Sequence, residues 1–281
     1  MFGHLISAIC TPFDEENKID FDTFLKLLKK VEENHTTVVI GGSTGEGHSL
    51  TIKEKEELVI FCLKNTKLKI ILGISEANTE KAIEEVRYFS YLDIKAYLVM
   101  CPSVYLPSQV GLYHHFKEIA DHSYKIPIII YNVPKRSGVS LKEITLRKLI
   151  NACPNIIGIK DTTNDINLIK LIKEKYPKFL FYIGNDSFFY KGIEAGADGI
   201  ISVMSIEFGK QMHYLIEDFK YGFYNSLLDN YLKLVAELLS LESNPMAIKY
   251  YLSKVGYKSM NLRLPLVELS IESQKQIDVI L

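Results

Sequence analysis

The chain has little of what marks several large classes of protein. Its 281 residues carry 33 basic and 34 acidic side chains, a net charge of -1, with no basic stripe and no polybasic cluster. This balance argues against nucleic acid and anionic membranes as partners. No apolar run approaches the roughly 18 residues of a membrane span. The first residues, MFGHLISAICTPFDEE, lack a basic flank and a long apolar stretch, so we expect no signal peptide.

Cysteine and clustered histidine are also scarce. The four cysteines are scattered and form no CxxC pair: Cys10, Cys62, Cys101 and Cys153. A disulfide framework is therefore not expected, and the reduced cytoplasm is the natural compartment. The seven histidines form no HxH or HExxH set, and the neighbours His114 and His115 face different directions in a predicted helix. We therefore predict no metal and no cofactor.

What the chain does have is a regular alternation of short apolar runs and amphipathic stretches. Eight runs rich in Ile, Val and Leu are typical of strands buried on both faces. They are LISAIC (5–10), TVVIGG (37–42), KIILGI (69–74), AYLVMC (96–101), IPIIIY (126–131), IIGIK (156–160), FLFYIG (179–184) and GIISV (199–203). Eight strand–helix units in about 205 residues predict a closed (β/α)8 TIM barrel. An open doubly wound sheet is the alternative, but no GxGxxG follows the first run.

The remainder of the chain has helical patterns only. The segment 221–240 is strongly amphipathic, and Asn244-Pro245 is expected to open a further helix. We therefore predict a barrel over residues 1–206, which carries the active site, and a C-terminal helical region over residues 207–281 packed on it. Three residues are expected to cap helix N-termini: Asp20, Thr51 and Ser140.

Two apolar runs end in residues suited to carbonyl chemistry. Lys160 is the last residue of IIGIK, a run that we expect to be buried. Burial of a charged side chain costs free energy, so a lysine at this position indicates a function. A lysine in an apolar pocket loses its proton easily, and the free amine attacks carbonyl carbons. Tyr131 closes IPIIIY, and neighbouring strand ends, about 4.8 Å apart, would bring both side chains to one small molecule. The pair predicts Schiff-base chemistry with the phenol as proton shuttle. The alternatives are a lysine that caps a strand and an ordinary half-buried tyrosine.

A glycine-rich segment and an arginine complete the candidate site. In GGSTGEG (41–47) the glycines allow close backbone approach, and Ser43 and Thr44 offer hydroxyl and amide groups to a carboxylate. Arg136 projects from NVPKRSG (132–138), and its planar fork suits a substrate carboxylate. The alternatives are a tight turn without a ligand and a surface arginine.

Six segments together resemble the dihydrodipicolinate synthases, within the class I pyruvate-dependent aldolase superfamily that also contains N-acetylneuraminate lyase. They occur in the family's order: CTPF (10–13), GSTGE (42–46), YNVPKRSG (131–138), GIKD (158–161), ESNPMAIK (242–249) and LRLPLVELS (262–270). The third and the last favour the synthase over the lyase. The resemblance covers nearly the whole chain and implies the same barrel with an added helical C-terminal region.

The resemblance also implies a lyase with roles for particular residues. Lys160 would form the Schiff base with pyruvate, and Tyr131 would donate and accept protons. Thr44 and Ser43 would hold the pyruvate carboxylate and relay protons. Further substrate contacts are implied for Gly42, for Ile201 through its backbone, and for Arg136 with the carboxylate of L-aspartate-4-semialdehyde. The implied product is 4-hydroxy-tetrahydrodipicolinate, in the pathway to diaminopimelate and lysine.

The sequence departs from the family at the relay tyrosine, which in the family reaches into the neighbouring subunit's site. Here the stretch is Pro102-Ser103-Val104-Tyr105, and Val104 takes the tyrosine's place. Either Tyr105 substitutes through a shift of the loop, or the relay is broken and the enzyme slow. We favour the second and predict low but real synthase activity.

A second departure concerns feedback by lysine, which inhibits many bacterial members at a cleft between subunits. The family's asparagine, glutamate and histidine positions are occupied by Ala77, Lys81 and Ile52. A cation at position 81 would repel a lysine ammonium, so we predict insensitivity to lysine.

The alternatives to a synthase are a sister enzyme and a non-catalytic relative. The first would be an aldolase or lyase of the N-acetylneuraminate or 2-keto-3-deoxygluconate type, and the second a pyruvate-binding protein. Arg136 favours a short aldehyde with a carboxylate, and the joint retention of Lys160, Tyr131, Thr44 and Arg136 favours catalysis. The relay implies an oligomer, which we expect to be a homotetramer, with a dimer as the alternative.

Overall fold

The computed structural model describes residues 2–281, and its eight strands form one closed barrel in chain order. The strands are β1 (Leu5–Ala8), β2 (Thr37–Ile40), β3 (Lys69–Ile74), β4 (Ala96–Met100), β5 (Ile128–Asn132), β6 (Ile156–Asp161), β7 (Leu180–Ile183) and β8 (Gly199–Ser202). Almost every strand residue is buried, which explains why the strands read as continuous apolar runs. The predicted (β/α)8 barrel with C-terminal helices is confirmed.

Helices follow the strands and continue after β8. They are α1 (Phe21–Asn34), α2 (Ile52–Asn65), α3 (Thr79–Tyr88), α4 (Gln109–His122), α5 (Pro134–Ser137), α6 (Glu143–Ala152), α7 (Ile166–Lys175), α8 (Phe189–Glu194), α9 (Ser205–Lys220), α10 (Ser226–Leu238), α11 (Met246–Lys254) and α12 (Ile271–Ile277). Among the helices of residues 2–281, none combines the length and apolar character that crossing a membrane requires.

Two of the three predicted helix caps are confirmed. The Asp20 side chain accepts hydrogen bonds from the first turn of α1, and Thr51 forms a capping box with Glu54 at the start of α2. The prediction for Ser140 is wrong, because α6 begins three residues later. The backbone there is bound elsewhere: the Ser140 carbonyl accepts from Gln109 at 2.8 Å, and the Leu141 amide donates to Asn132 at 3.0 Å.

The chain divides into two compact units. One comprises the described residues up to Leu68 together with Ser202–Leu281. Within it β1 pairs in parallel with β2, and α9 packs against α1 and β1. The predicted boundary between residues 206 and 207 falls within α9. The division into a barrel domain and a C-terminal region stays a prediction.

The second unit, Lys69–Ile201, holds the parallel strands that carry the lysine and the tyrosine. The register of β5 and β6 pairs Tyr131 with Lys160 and Asn132 with Asp161. Both strands therefore run one residue beyond the ends that the sequence predicted. The added residues, Asn132 and Asp161, are paired directly beyond Tyr131 and Lys160.

Candidate active site

Tyr131 and Lys160 lie side by side at the carboxyl ends of β5 and β6. Lys160 is only 5% exposed, and its Nζ atom lies 4.6 Å from the centre of the Tyr131 ring. The active sites of TIM-barrel enzymes lie at this end of the strands. The two side chains are thus close enough to act on one carbonyl group, the amine as nucleophile and the phenol as proton carrier.

Gly184, at the end of β7, shapes the space around Lys160 and was not singled out from the sequence. Its amide donates to the Asp161 carbonyl at 2.7 Å, which holds it against the end of β6. A Cβ atom at this position would lie 3.0 Å from the Cε atom of Lys160 and 2.6 Å from Cγ2 of Thr162. Any larger residue at position 184 would displace the side chain of Lys160 or of Thr162. The terminal glycine of FLFYIG was the available signal.

Directly beyond the tyrosine–lysine pair, Asn132 and Asp161 form a buried polar pair. The Asn132 amide donates to Asp161 Oδ2 at 2.7 Å, while its own oxygen accepts from the Leu141 amide and from the Cys101 thiol. Burial raises the pKa of Asp161, and hydrogen bonds from Thr163 and Asn132 partly offset that rise. The pair ties the ends of β5 and β6 together. Sequence reasoning missed it, because an Asn and an Asp after apolar runs resemble loop residues.

The GSTGE loop after β2 is folded by its own backbone. The Gly47 amide donates to the Gly42 carbonyl at 3.0 Å, and the Glu46 amide donates to Ser43 at 3.2 Å. A Cβ atom at Gly47 would lie 1.9 Å from the Gly41 carbonyl oxygen, so no other residue fits there. Thr44 is buried, and the hydroxyl oxygen of Ser43 is buried without a hydrogen-bond partner within residues 2–281. The hydrogen bonds of the turn thus fix the backbone that carries both side chains.

Two residues of the C-terminal region, Asn244 and Lys249, contact this loop. The Asn244 Nδ2 atom donates to Thr44 Oγ1 at 2.9 Å. Lys249 forms an ion pair with Glu46 in which both side chains are 1% exposed, and the lysine also donates to the Asn261 carbonyl at 2.7 Å. ESNPMAIK therefore holds the GSTGE loop, and LRLPLVELS contacts it through the Arg263 amide, which donates to Glu46 Oε2 at 3.1 Å. The sequence did not reveal these contacts.

The ion pair lies in an apolar setting with a second cation nearby. Lys249 Nζ lies 4.4 Å from the centre of the Phe13 ring, and the Arg263 guanidinium lies 4.1 Å from the same ring. Burial lowers the pKa of Lys249, and the neighbouring Glu46 carboxylate counteracts that effect. Burial likewise raises the pKa of the Cys10 thiol to about 12, so this cysteine is inert as a nucleophile.

The remaining predicted site residues differ in exposure. Arg136 is exposed on α5, directly after β5, and Ile201 is buried in β8. Val104 and Tyr105 lie at the surface, 80% and 74% exposed. The Tyr105 amide donates to the Ser103 carbonyl at 2.9 Å, and Val104 between them has φ +75°, the strained backbone of a γ-turn. A β-branched residue rarely adopts this conformation, and such strain concentrates at functional sites.

The residues at the predicted lysine-feedback positions occupy two helix starts. Lys81 is exposed in the first turn of α3, where its amide donates to Asn78, and Ala77 precedes that turn. Ile52 is the first residue of α2. None of the three side chains carries a carboxylate.

Comparisons with known proteins give a consistent picture. The Dihydrodipicolinate synthetase family model matches residues 1–281. A 4-hydroxy-tetrahydrodipicolinate synthase of Streptococcus pneumoniae (strain CGSP14) is 36% identical over an alignment of 282 residues, and the match covers 97% of this chain and 89% of the relative. The solved dihydrodipicolinate synthase DapA-2 of Bacillus anthracis superimposes with a TM-score of 0.93 at 32% identity, over 100% of this chain and 97% of the other. The chloride-inhibited dihydrodipicolinate synthase of Acinetobacter baumannii, complexed with pyruvate, gives 0.93 at 30% identity over 99% and 97%.

Proposed function

The chain belongs to the dihydrodipicolinate synthetase family, and we propose that it condenses pyruvate with L-aspartate-4-semialdehyde to form 4-hydroxy-tetrahydrodipicolinate. It is an enzyme of the class I aldolase type, a lyase of the pathway to diaminopimelate and lysine. The relatives do not favour the N-acetylneuraminate lyase or sugar-acid aldolase alternatives.

One observation carries the proposal for the chemistry. Lys160 is buried beside Tyr131, with its Nζ atom 4.6 Å from the phenol ring. A buried lysine next to a phenol is what a Schiff-base enzyme needs, because imine formation requires both a nucleophilic amine and a group that moves protons. The pyruvate complex of the Acinetobacter baumannii relative supports pyruvate as the first substrate.

The reaction has three stages: imine formation, carbon–carbon bond formation and ring closure. The Lys160 amine attacks C2 of pyruvate, and Tyr131 supplies the proton with which the carbonyl oxygen leaves as water. Loss of a proton from C3 of the resulting iminium gives an enamine, which attacks the aldehyde carbon of the second substrate. The amino group of that substrate then displaces Lys160 and closes the ring. One molecule of water is released overall, and the lysine is regenerated.

The other residues have roles in binding and proton transfer within this proposal. Thr44 and Ser43, with the backbone of Gly42, bind the pyruvate carboxylate. The fixed turn and the unpartnered Ser43 hydroxyl support this role. Arg136 receives the carboxylate of L-aspartate-4-semialdehyde, which its exposure beside β5 supports. The buried backbone of Ile201 lines the pyruvate site.

A borohydride trap tests the proposal. The protein is incubated with pyruvate, reduced, and its intact mass is measured. We expect a single pyruvyl adduct in the unmodified protein and in Lys135→Ala, which removes an exposed lysine next to Arg136. The adduct should vanish in Lys160→Ala. An adduct that survives in Lys160→Ala, or none in any variant, contradicts the proposal.

We propose a cytoplasmic homotetramer, with a dimer as the smaller alternative. The exposed apolar side chains of Val104, Tyr105 and Leu106 support association, and the four free, buried cysteines support a reducing compartment. Sedimentation equilibrium over a range of protein concentrations distinguishes the oligomers. A monomer at micromolar concentration would contradict this part of the proposal.

A further inference from the structure

We propose that Asn244 is a positioning residue that fixes the direction in which the Thr44 hydroxyl donates its proton. This inference rests on the proposed function, in which Thr44 relays protons. Its origin is one contact: Asn244 Nδ2 donates to Thr44 Oγ1 at 2.9 Å, across 200 positions of the chain.

The chemistry of the two groups gives the contact a polarity. A threonine hydroxyl has one hydrogen and two lone pairs, whereas an amide nitrogen only donates. With the amide of Asn244 on one lone pair, the Thr44 hydrogen cannot point toward Asn244. It must point away, so the hydroxyl presents its proton on the side opposite the C-terminal region. The Thr44 hydroxyl could otherwise rotate freely about its C–O bond. The hydrogen bond from Asn244 turns it into a donor with a defined direction.

The segment that carries Asn244 is itself fixed, so the direction is well defined. The Met246 amide donates to Ser243 at 2.9 Å, and the Lys249 amide donates to Pro245 at 3.0 Å. Lys249, one turn further along α11, forms the buried ion pair with Glu46. The segment 243–249 thus holds the loop through Thr44 and again two residues later through Glu46. Relative sliding of loop and segment would break a buried ion pair, which is costly.

A further contact resists rotation of the loop. The Glu46 Oε2 atom accepts from the Arg263 amide at 3.1 Å, and on the other side of the loop the Gly45 carbonyl accepts from Thr11 at 2.7 Å. The backbone on both sides of Thr44 is also held, because the Glu46 amide donates to the Ser43 carbonyl and the Gly47 amide to the Gly42 carbonyl. Rotation of the hydroxyl is therefore the main freedom left to Thr44. Asn244 removes that freedom.

Reversing the polarity of the contact tests the inference. Asn244→Asp keeps the shape of the side chain but, when ionised, replaces the donor by an acceptor. The Thr44 hydroxyl would then donate to the introduced carboxylate and turn its proton away from the substrate. At neutral pH we expect kcat to fall about 10²-fold, the loss typical of one acid–base partner, with a much smaller change in KM for pyruvate.

The pH profile separates positioning from mere structural support. As the pH falls through the pKa of the introduced carboxyl group, that group becomes protonated and donates again. The ratio of Asn244→Asp to wild-type kcat should therefore rise toward acidic pH. Asn225→Asp is the matched control, because Asn225 caps α10 as an acceptor and a carboxylate preserves that role. A ratio that does not change with pH overturns the inference.

A double-mutant cycle covers the case in which Asn244→Asp does not fold. Asn244→Ala should lower kcat in the wild-type background but have no further effect in Thr44→Val, which lacks the hydroxyl to be oriented. Equal fold-losses in both backgrounds overturn the inference. Failure of the proposed function would look different, since the wild-type protein would then trap no pyruvate at all. If the wild-type protein traps pyruvate but Asn244→Ala lowers kcat equally in both backgrounds, the proposed function stands and only the role of Asn244 is ruled out.

Discussion

Glu46 and Lys249 form an ion pair that joins the glycine-rich loop to helix α11, with both side chains 1% exposed. The Nζ atom also donates to the Asn261 carbonyl and lies over the Phe13 ring, so the cation is surrounded by protein. Such a pair contributes little net stability, because desolvation offsets the attraction, but each partner depends strongly on the other.

Removing one partner of this pair should destabilise the fold. Lys249→Met leaves a buried carboxylate without its cation, and we expect the free energy of unfolding to fall by about 3–5 kcal/mol. Urea denaturation measures the change. Lys254→Met changes an exposed residue on the same helix, α11, and is the control. Its free energy of unfolding should stay within about 0.5 kcal/mol of the wild type. Adding Glu46→Gln to Lys249→Met should recover part of the loss, and no recovery would contradict this account.

Val104 offers a gain-of-function prediction. If the proton relay is broken there, Val104→Tyr should raise kcat, by up to about 10²-fold. Initial rates with pyruvate and L-aspartate-4-semialdehyde measure the effect. Tyr105→Phe is the companion variant: it should leave kcat unchanged in our interpretation and lower it if Tyr105 is the relay. An unchanged kcat in Val104→Tyr would rule out the broken relay.

Gly184→Ala should impair the reaction without removing a reacting group. The added Cβ atom would press on the Lys160 stem, 3.0 Å from Cε, and displace the amine. Misplacement of a reacting group by about 1 Å costs on the order of 10²-fold in rate. We expect slower trapping of pyruvate in a borohydride time course, with the final single adduct unchanged. Trapping at the wild-type rate would show that the neighbours yield instead.

Stability should decline in acid because of two buried histidines. Burial lowers the pKa of His35 and of His115 from 6.5 to about 4. Between these values the unfolded chain binds more protons than the folded one, so stability falls as the pH drops from 6.5 to about 4. Each histidine contributes a loss of up to about 3 kcal/mol.

The variant His115→Asn checks this linkage. An asparagine side chain keeps a polar partner for Thr79, whose hydroxyl lies 2.9 Å from His115 Nδ1, but does not titrate. Its free energy of unfolding, measured from pH 7 down to pH 4, should change less than that of the wild type. Parallel curves for the two proteins would contradict the prediction.

Lysine should not inhibit the enzyme. The cation of Lys81, exposed in the first turn of α3, repels a lysine ammonium where the family's carboxylate attracts it. Rates measured at sub-millimolar lysine should equal those without it. Inhibition in that range would show that the ligand binds by other contacts.

Much of the fold could be predicted, because each strand of the barrel corresponds to a short apolar run in the sequence. The runs before Lys160 and Tyr131 are apolar on both faces, and the order of strands in a barrel follows the chain, so the neighbourhood of the two side chains followed from sequence. The ends of the strands do not follow from composition in the same way: LISAIC predicts a strand over 5–10, but β1 ends at Ala8. Loop geometry rather than composition decides where pairing stops.

Long-range polar contacts could not be predicted. Nothing in ESNPMAIK indicates that Asn244 meets a hydroxyl 200 residues earlier, since hydrogen bonds leave no periodic pattern. The Asn132–Asp161 pair was hidden for the same reason. The error at Ser140 shows the converse, because the backbone at a residue type that favours helix caps is bound instead by the distant side chains of Gln109 and Asn132.

The contacts of segment 243–249 with the glycine-rich loop have a consequence for synthesis on the ribosome. A nascent chain that has emerged through β8 already contains Lys160 and Tyr131, yet its Thr44 lacks Asn244 and its Glu46 lacks Lys249. Such a chain has the Glu46 carboxylate without its cation and the Thr44 hydroxyl without its hydrogen-bond donor. The glycine-rich loop therefore completes its contacts only after residues 244–249 have been synthesised.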